Sequence, residues 1–433
     1  MSEVIDQVQP VAPSLKPLVL PNVVVRLVDA AKVTKSGDAY TVSYEGDVIE
    51  LHEQDFKIVV RSAQRIRAAG ANTSTKLGFM GAMDLARKFV CEEIFKPGAV
   101  RVLYFHSPIV PGSAFYRCIL PTTALNRGTR VTAHLAPPGT PMRQALDFDI
   151  VVFQLSHDDA TRRAAAALQE MGKKVVFEID DAFDCLEPWH THYAAYSQPA
   201  RQELVRSMMG QADLVTVTTQ WMKDRYAGFA RRIEIVPNFV DLSDWPVAKR
   251  RNDGVFRVLW AGSPSHAGDL AVAQDALSVF ANRNPDVEVV FFGMAPADNR
   301  IPEAQVEILP FVDLNEYPNR LADVGADIAI APIADIPFNH AKSPVKVLEY
   351  CATGYPVVAS DVGPYRIIEH GKSGMLCSNK RSGDWIEALE KLYASKDLRM
   401  ELVANGTELA RKYDVDANRS AIEDVFVSLG RAR

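Results

Sequence analysis

Cysteine is scarce: five residues in 433, at Cys91, Cys118, Cys185, Cys351 and Cys377, with no C-x-x-C pair among them. That scatter argues against a disulfide frame or a zinc ligand set and fits reduced thiols in a cytoplasmic protein. Long apolar runs are also missing, and none reaches the ~18 residues a membrane-spanning helix requires. The opening MSEVIDQVQPVAPSLKP has neither a basic n-region nor an apolar h-region, so no signal peptide is expected. Positive charge is not in excess either. The formal net charge of -6 points away from a nucleic-acid coat or a polybasic membrane anchor. No repeat occurs at solenoid periods.

What is present is an ordinary globular composition, 48% hydrophobic and 24% charged. At roughly 100–200 residues per domain, the length allows two to four domains. Residues 1–22 carry Pro10, Pro13, Pro17 and Pro21 and little apolar periodicity, which predicts an extended arm. Residues 23–98 read as a small α+β appendage. YTVSYEGDVIEL alternates around Glu45-Gly46-Asp47 as a hairpin does, and two helical stretches follow, the second with Met80, Met83, Val90 and Ile94 on one stripe. Lys96-Pro97-Gly98 closes the region.

From residue 99 the pattern becomes strand, loop, helix, repeated. Apolar runs at 101–106, 148–155, 173–180, 212–219 and 232–238 alternate with helical segments. After a polar stretch near 245–253 the cycle restarts, with strands at 255–262, 287–293, 306–311, 326–332 and 355–360. Val- and Ile-rich runs without alternation, joined by helices, predict parallel sheets covered on both faces. The chain therefore reads as two doubly wound Rossmann-like domains, 99–247 and 248–415. A helix over 416–433 is expected to cross back to the first of them.

Ligands of such sheets bind beyond the carboxyl ends of the strands. The richest loop there is DIPFNHAKSPVKVLEYCATG, where Ser343 can cap a helix, Pro344 fits its first position and Gly354 its end. Lys342 and Lys346 flank that helix N-terminus, a combination suited to a diphosphate. Glu349 lies one turn deeper, able to accept hydrogen bonds from ribose hydroxyls; a solvated Lys346–Glu349 pair is the competing reading. Gly262 and Ser263 follow the first strand of the second domain, where glycine permits close backbone approach. Gly112 and Ser113, with Arg117 one turn on, form either a turn over a pocket or a plain turn with a surface arginine. Asp180, Asp181, Asp184, His190 and His192 cluster after a strand, but match no standard metal spacing. Acceptor-binding carboxylates are the better reading, and no metal site is expected.

VPNFVDLSDW and the block KSPVKVLEYCATGYPVVASDVGPY resemble the retaining glycosyltransferases of family 4 over roughly residues 99–430. The resemblance implies the GT-B fold, two Rossmann-like domains facing a cleft, and a nucleotide-diphospho sugar as donor substrate without a permanent cofactor. Glu349 matches the second glutamate of the family's E-x7-E motif; the first falls on Ala341, and Lys342-Ser343-Pro344 replace the usual Gly-Phe-Gly. A variant subfamily with N-x-x-K-S-x-x-K-x-x-E-Y has the same form. Asn339 and His340 are then the candidates for the donor sugar, and Phe311 and Val312 fall where relatives bind the base. Gly262, Ser263, Lys342, Ser343, Lys346 and Glu349 complete the donor set, and Gly112, Ser113, Arg117, Asp180 and Asp181 the acceptor side.

The implied chemistry is metal-independent transfer with retention, in which Lys342 and Lys346 meet the charge of the departing diphosphate and Asp181 serves the acceptor side. The acceptor class stays open between glycan, lipid-linked sugar, protein and modified DNA. A GT-B binding or assembly protein without catalysis, an epimerase and a phosphorylase are the alternatives.

Overall fold

The computed structural model describes residues 32–36, 39–44, 47–52, 98–106, 111–136, 140, 142–156, 158–188, 190, 192–263, 266–296, 300–314 and 316–430. Its strands are β1 (Lys32–Ser36), β2 (Ala39–Tyr44), β3 (Asp47–His52), β4 (Val100–Phe105), β5 (Val131–Ala136), β6 (Ile150–Gln154), β7 (Lys174–Glu178), β8 (Leu214–Val217) and β9 (Ile233–Ile235). They continue as β10 (Phe256–Ala261), β11 (Val287–Gly293), β12 (Val306–Pro310), β13 (Ile328–Ala331), β14 (Val357–Ser360) and β15 (Met375–Cys377).

The chain forms two compact units, one of residues 1–101 and 129–140, the other of 102–128 and 141–433. In the first, β1, β2 and β3 make an antiparallel meander. Tyr44 pairs with Asp47 across the expected hairpin. The helices expected before Lys96, with the methionine stripe and Cys91, lie outside the described residues. The strands β1 and β5 were not expected from the sequence.

The second unit holds two parallel sheets. In one, β4, β6, β7, β8 and β9 pair in that order. In the other the order is β12-β11-β10-β13-β14-β15. The first strand in sequence, β10, lies between β11 and β13, which opens the crevice typical of this topology at its carboxyl end. The continuous apolar runs follow from double coverage. Leu259 and Ala261 enter one core with Val290 and Ala329, whereas Val258 and Trp260 enter the opposite core with Val289 and Ile328. Cys351 and Cys377 are buried in these cores, and burial pushes each thiol up to about 12.

Helices of this unit are α1 (residues 111–127), α2 (Asp159–Glu170), α3 (Pro199–Gln211), α4 (Gln220–Tyr226), α5 (Ala267–Arg283), α6 (Tyr317–Val324), α7 (Pro337–Ala341), α8 (Val345–Thr353), α9 (Ser382–Ala394), α10 (Lys396–Lys412) and α11 (Val415–Gly430). The middle of α1, Phe115–Ile119, is a π-helical turn. The α2 N-terminus is closed by Asp158, which accepts a hydrogen bond from the Thr161 N–H. The last helix, α11, packs on α1, with Phe426 edge-on to Tyr104 at 6.0 Å. Two chain crossings join the sheets. They meet where the Val240 N–H donates to the Tyr413 carbonyl and the Val415 N–H donates to the Val240 carbonyl. No helix among the described residues is long and apolar enough to cross a membrane.

Candidate active site

The carboxyl end of β10 runs into Gly262. A Cβ there would stand 2.7 Å from the Trp260 ring and 3.3 Å from Lys346 Nζ, so only glycine lets the backbone pass. Asp269 follows in the first turn of α5, 2% exposed. It accepts hydrogen bonds from Asn339 Nδ2 (2.6 Å), the Ala334 N–H (3.0 Å) and Lys342 Nζ (3.0 Å), and its Oδ2 lies 2.9 Å from His266 Nδ1. These contacts hold its carboxyl well below the usual range against the opposing effect of burial. His266 is driven down to about 3, chiefly by burial and then by the two lysines, so its ring is neutral.

Lys342 follows α7 and stands 5.2 Å from the Phe338 ring centroid. Lys346 lies in the first turn of α8, with Nζ 5.0 Å from the Trp260 ring centroid. That ammonium is buried and has no hydrogen-bond partner among the described residues. Burial pulls it down to about 8, offset in part by Asp269. Ser343 does not cap α8, as the sequence suggested. Pro344 occupies the cap position without a side-chain bond, and Ser343 Oγ instead accepts from Asn238 Nδ2 at 2.9 Å. The hydroxyl is taken by a residue 105 positions away, so local spacing misplaces it.

Glu349 is 8% exposed, so a solvated Lys346–Glu349 pair does not describe it. Its Oε1 accepts from the Tyr116 hydroxyl and its Oε2 from the Tyr317 hydroxyl at 3.3 Å. Burial raises the carboxyl, while Tyr116, Lys346 and Tyr317 counter that shift. Asn339 is buried against Asp269, and His340 Nε2 lies 2.9 Å from Asp335 Oδ1. Phe311 is 66% exposed just after β12, whereas Val312 packs against the core.

The other sheet presents acids. Arg117 is 3% exposed and not a surface residue. Its Nε donates to Glu178 Oε1 (2.7 Å), and its Nη1 donates to the Val236 carbonyl (2.6 Å) and to Asn238 Oδ1 (2.7 Å). Ser113 Oγ donates to Asp180 Oδ2, while Gly112 has open space where a Cβ would stand. Burial lifts Glu178 to about 8 despite Arg117. Asp181 is raised well above the usual range, first by burial and then by Asp180, with Lys342 opposing. Asp184 is drawn off to Arg225 and Tyr226. His190 packs on Phe338 at 5.0 Å, and burial lowers it to about 4. Among the described residues, no group of His, Cys, Asp and Glu could hold a metal ion.

Residues 98–244 match the family model Glycosyltransferase Family 4, and residues 256–395 match Glycosyl transferases group 1. Each matched segment coincides with one parallel sheet and its helices. Both segments are glycosyltransferase domains on the GT-B fold. Curated relatives agree. The D-inositol 3-phosphate glycosyltransferase of Pseudarthrobacter chlorophenolicus is 26% identical over 229 residues, 47% of this chain and 53% of that protein. Its counterpart from Rhodococcus erythropolis is 33% identical over 113 residues, 25% of this chain and 24% of that one. The chain thus spans about half the length, or less, of the curated relatives it matches. Among solved structures, Anabaena Alr3699/HepE in complex with UDP and glucose has a TM-score of 0.56 at 16% identity, covering 76% of this chain and 100% of that one. Sucrose-phosphate synthase from Thermosynechococcus elongatus has 0.55 at 12% identity, covering 77% and 100%. At these identities the likeness is one of fold.

The two domains are joined, and the second domain's site is tied together, by side chains that sequence reading did not single out. Asn238, in the VPNF segment, joins Arg117 of the first domain to Ser343 of the second. Tyr116 joins α1 to Glu349. Asp269 ties the Gly262 loop to the Lys342 segment. Its one sequence signal, an acid in the first turn of a helix, is the ordinary complement to a helix dipole. Together the second domain's groups offer two cations, an α8 N-terminus free of any side-chain cap, and a buried carboxylate one turn deeper.

Proposed function

We propose that the protein is a retaining, metal-independent glycosyltransferase that moves a sugar from a nucleotide-diphospho sugar to a hydroxyl acceptor. The observation that carries this reading is Lys346, a buried ammonium with no hydrogen-bond partner among the described residues, beside Gly262 and the uncapped N-terminus of α8. An anion completes such a site, and a diphosphate fits two lysines and a helix N-terminus together. Glu349 then takes the ribose hydroxyls, Phe311 and Val312 flank the base, and Asn339, His340 and Ser263 face the donor sugar. UDP and glucose in the Alr3699/HepE complex support a uridine nucleotide as the first probe.

The chemistry follows from charge. The bond from the anomeric carbon to the diphosphate oxygen breaks, and its electron pair leaves with the phosphate. Lys342, Lys346 and the α8 N–H groups meet that charge where it develops, so no metal is needed for it. The sugar becomes oxocarbenium-like. The acceptor hydroxyl bonds to the same face, and its proton passes to the departing phosphate oxygen. Asp181, Asp180 and Ser113 orient the acceptor, with Gly112 leaving room for it. The relatives' inositol phosphate acceptor supports a hydroxyl compound in this role.

Calorimetry with a panel of nucleotide-sugars tests the reading. One donor is expected to bind, with Lys346→Ala weakening it by roughly 10- to 100-fold, the scale of a hydrogen bond to a charged group. Turnover unaffected by EDTA, with the product's anomeric configuration equal to the donor's, is expected by NMR. Binding that ignores Lys346, or an inverted product, overturns the assignment.

A further inference from the structure

Glu349 is a buried carboxylate on α8 beside the proposed diphosphate site, and each of its oxygens already accepts a tyrosine hydroxyl. The two tyrosines differ in kind. Tyr317 belongs to the same domain and is wedged into its core, 5.9 Å from Trp245 and 5.5 Å from Phe292 between ring centroids. Tyr116 comes from the other domain, 233 positions away, on the π-helical turn of α1. Its neighbour Arg117 is fixed by three hydrogen bonds to Glu178, Val236 and Asn238, so the backbone beneath Tyr116 is anchored. The phenol is aimed, from a firm base, at a carboxylate of the opposite domain.

A phenol and a ribose hydroxyl make the same bond to a carboxylate oxygen: O–H donating to O⁻. Glu349 is nearly closed to solvent, which leaves little room for both at Oε1. We propose that Tyr116 regulates donor binding by competing for Glu349, its hydroxyl holding in the unliganded protein the position that a ribose hydroxyl of the donor takes over. This rests on the donor reading given above. The apparent affinity for donor is then the intrinsic affinity reduced by the fraction of molecules in which Tyr116 has left Glu349. Arrival of the nucleotide and release of the phenol are one exchange, so the contact between domains is traded for a contact to substrate.

The test is Tyr116→Phe, which keeps the ring and deletes the hydroxyl. Titration of the full chain with UDP and with UDP-glucose is expected to show binding about 10- to 100-fold tighter than wild type, the scale of a hydrogen bond to a charged group. Glu349→Ala is expected to abolish the difference. A residue that merely supports the site, or one that binds donor directly, gives the opposite sign, so equal or weaker binding by Tyr116→Phe overturns the proposal. If no nucleotide binds either protein, the donor reading fails by itself. Hydrogen exchange of the ligand-free proteins then decides the contact: faster exchange over residues 111–127 and 345–353 in Tyr116→Phe upholds it, and unchanged exchange removes it.

Discussion

At the carboxyl end of the first sheet, Glu178 and Asp180 stand beside one guanidinium, Arg117, with Asp181 next to Asp180. At the carboxyl end of the second, Lys342 and Lys346 crowd around one carboxylate, Asp269. The two domains share an architecture and reverse its charge. Burial works on both sets toward neutrality, lifting Glu178 to about 8 and lowering Lys346 to about 8. The outcomes differ. Arg117 pairs with Glu178 against that push, whereas no group among the described residues hydrogen-bonds the Lys346 ammonium, which leaves the cationic side ready for an anion. The helices repeat the contrast: α2 has its N-terminus closed by Asp158, and α8 has no side-chain cap.

The largest expected effect comes from breaking the acidic side. Arg117→Ala leaves three buried acceptors, Glu178, the Val236 carbonyl and Asn238 Oδ1, without their donor, at about 1–3 kcal/mol for each group left unsatisfied. Urea unfolding is the measurement, and a loss below about 1 kcal/mol contradicts the picture of a buried, paired guanidinium.

A smaller effect concerns Lys346. Its ammonium is present below about pH 8 and lost above it, so donor affinity is expected to hold from pH 6.5 to 7.5 and then fall. The fall approaches tenfold per pH unit once the proton is gone. Lys346→Arg keeps its charge and is expected to flatten the decline. A flat wild-type profile to pH 9.5 excludes Lys346 from anion binding.

The smallest effect is a control on the helices. Asp158→Ala removes a cap worth about 1 kcal/mol and leaves donor affinity untouched, as thermal unfolding and titration together check. A change in donor affinity there would erase the distinction between a closed and an open helix end.

Much of this arrangement is legible in the residue order. Uninterrupted Val and Ile runs mark nearly every parallel strand, and the KSPVKVLEY block places both lysines and Glu349 on the segment where they stand. β15 escapes because three residues are too short for a period. β5 escapes because Thr132 and His134 interrupt its apolar run. The contacts that complete the site escape for a different reason. Tyr116 with Glu349, Asn238 with Ser343 and Asp269 with Lys342 are separated by 233, 105 and 73 positions. Spacing encodes neighbours along one element, whereas the first two pairs exist only once two sheets have formed and closed on each other, and the third only once β10 and β13 lie side by side. Arg117 shows the same limit. Its one-turn offset from Ser113 was visible, but its burial depends on Glu178 and Asn238, which arrive from other strands.

The stitched crossings at Val240 and Asp414 have a mechanical consequence. A single tether between two bodies permits swing, twist and slide alike. Two strands bonded side by side resist twist and slide, because either would shear their shared hydrogen bonds, and swing alone remains easy. Any opening of the domains is therefore expected to turn about this seam, with contacts far from it, Tyr116 on Glu349 included, parting in the same stroke.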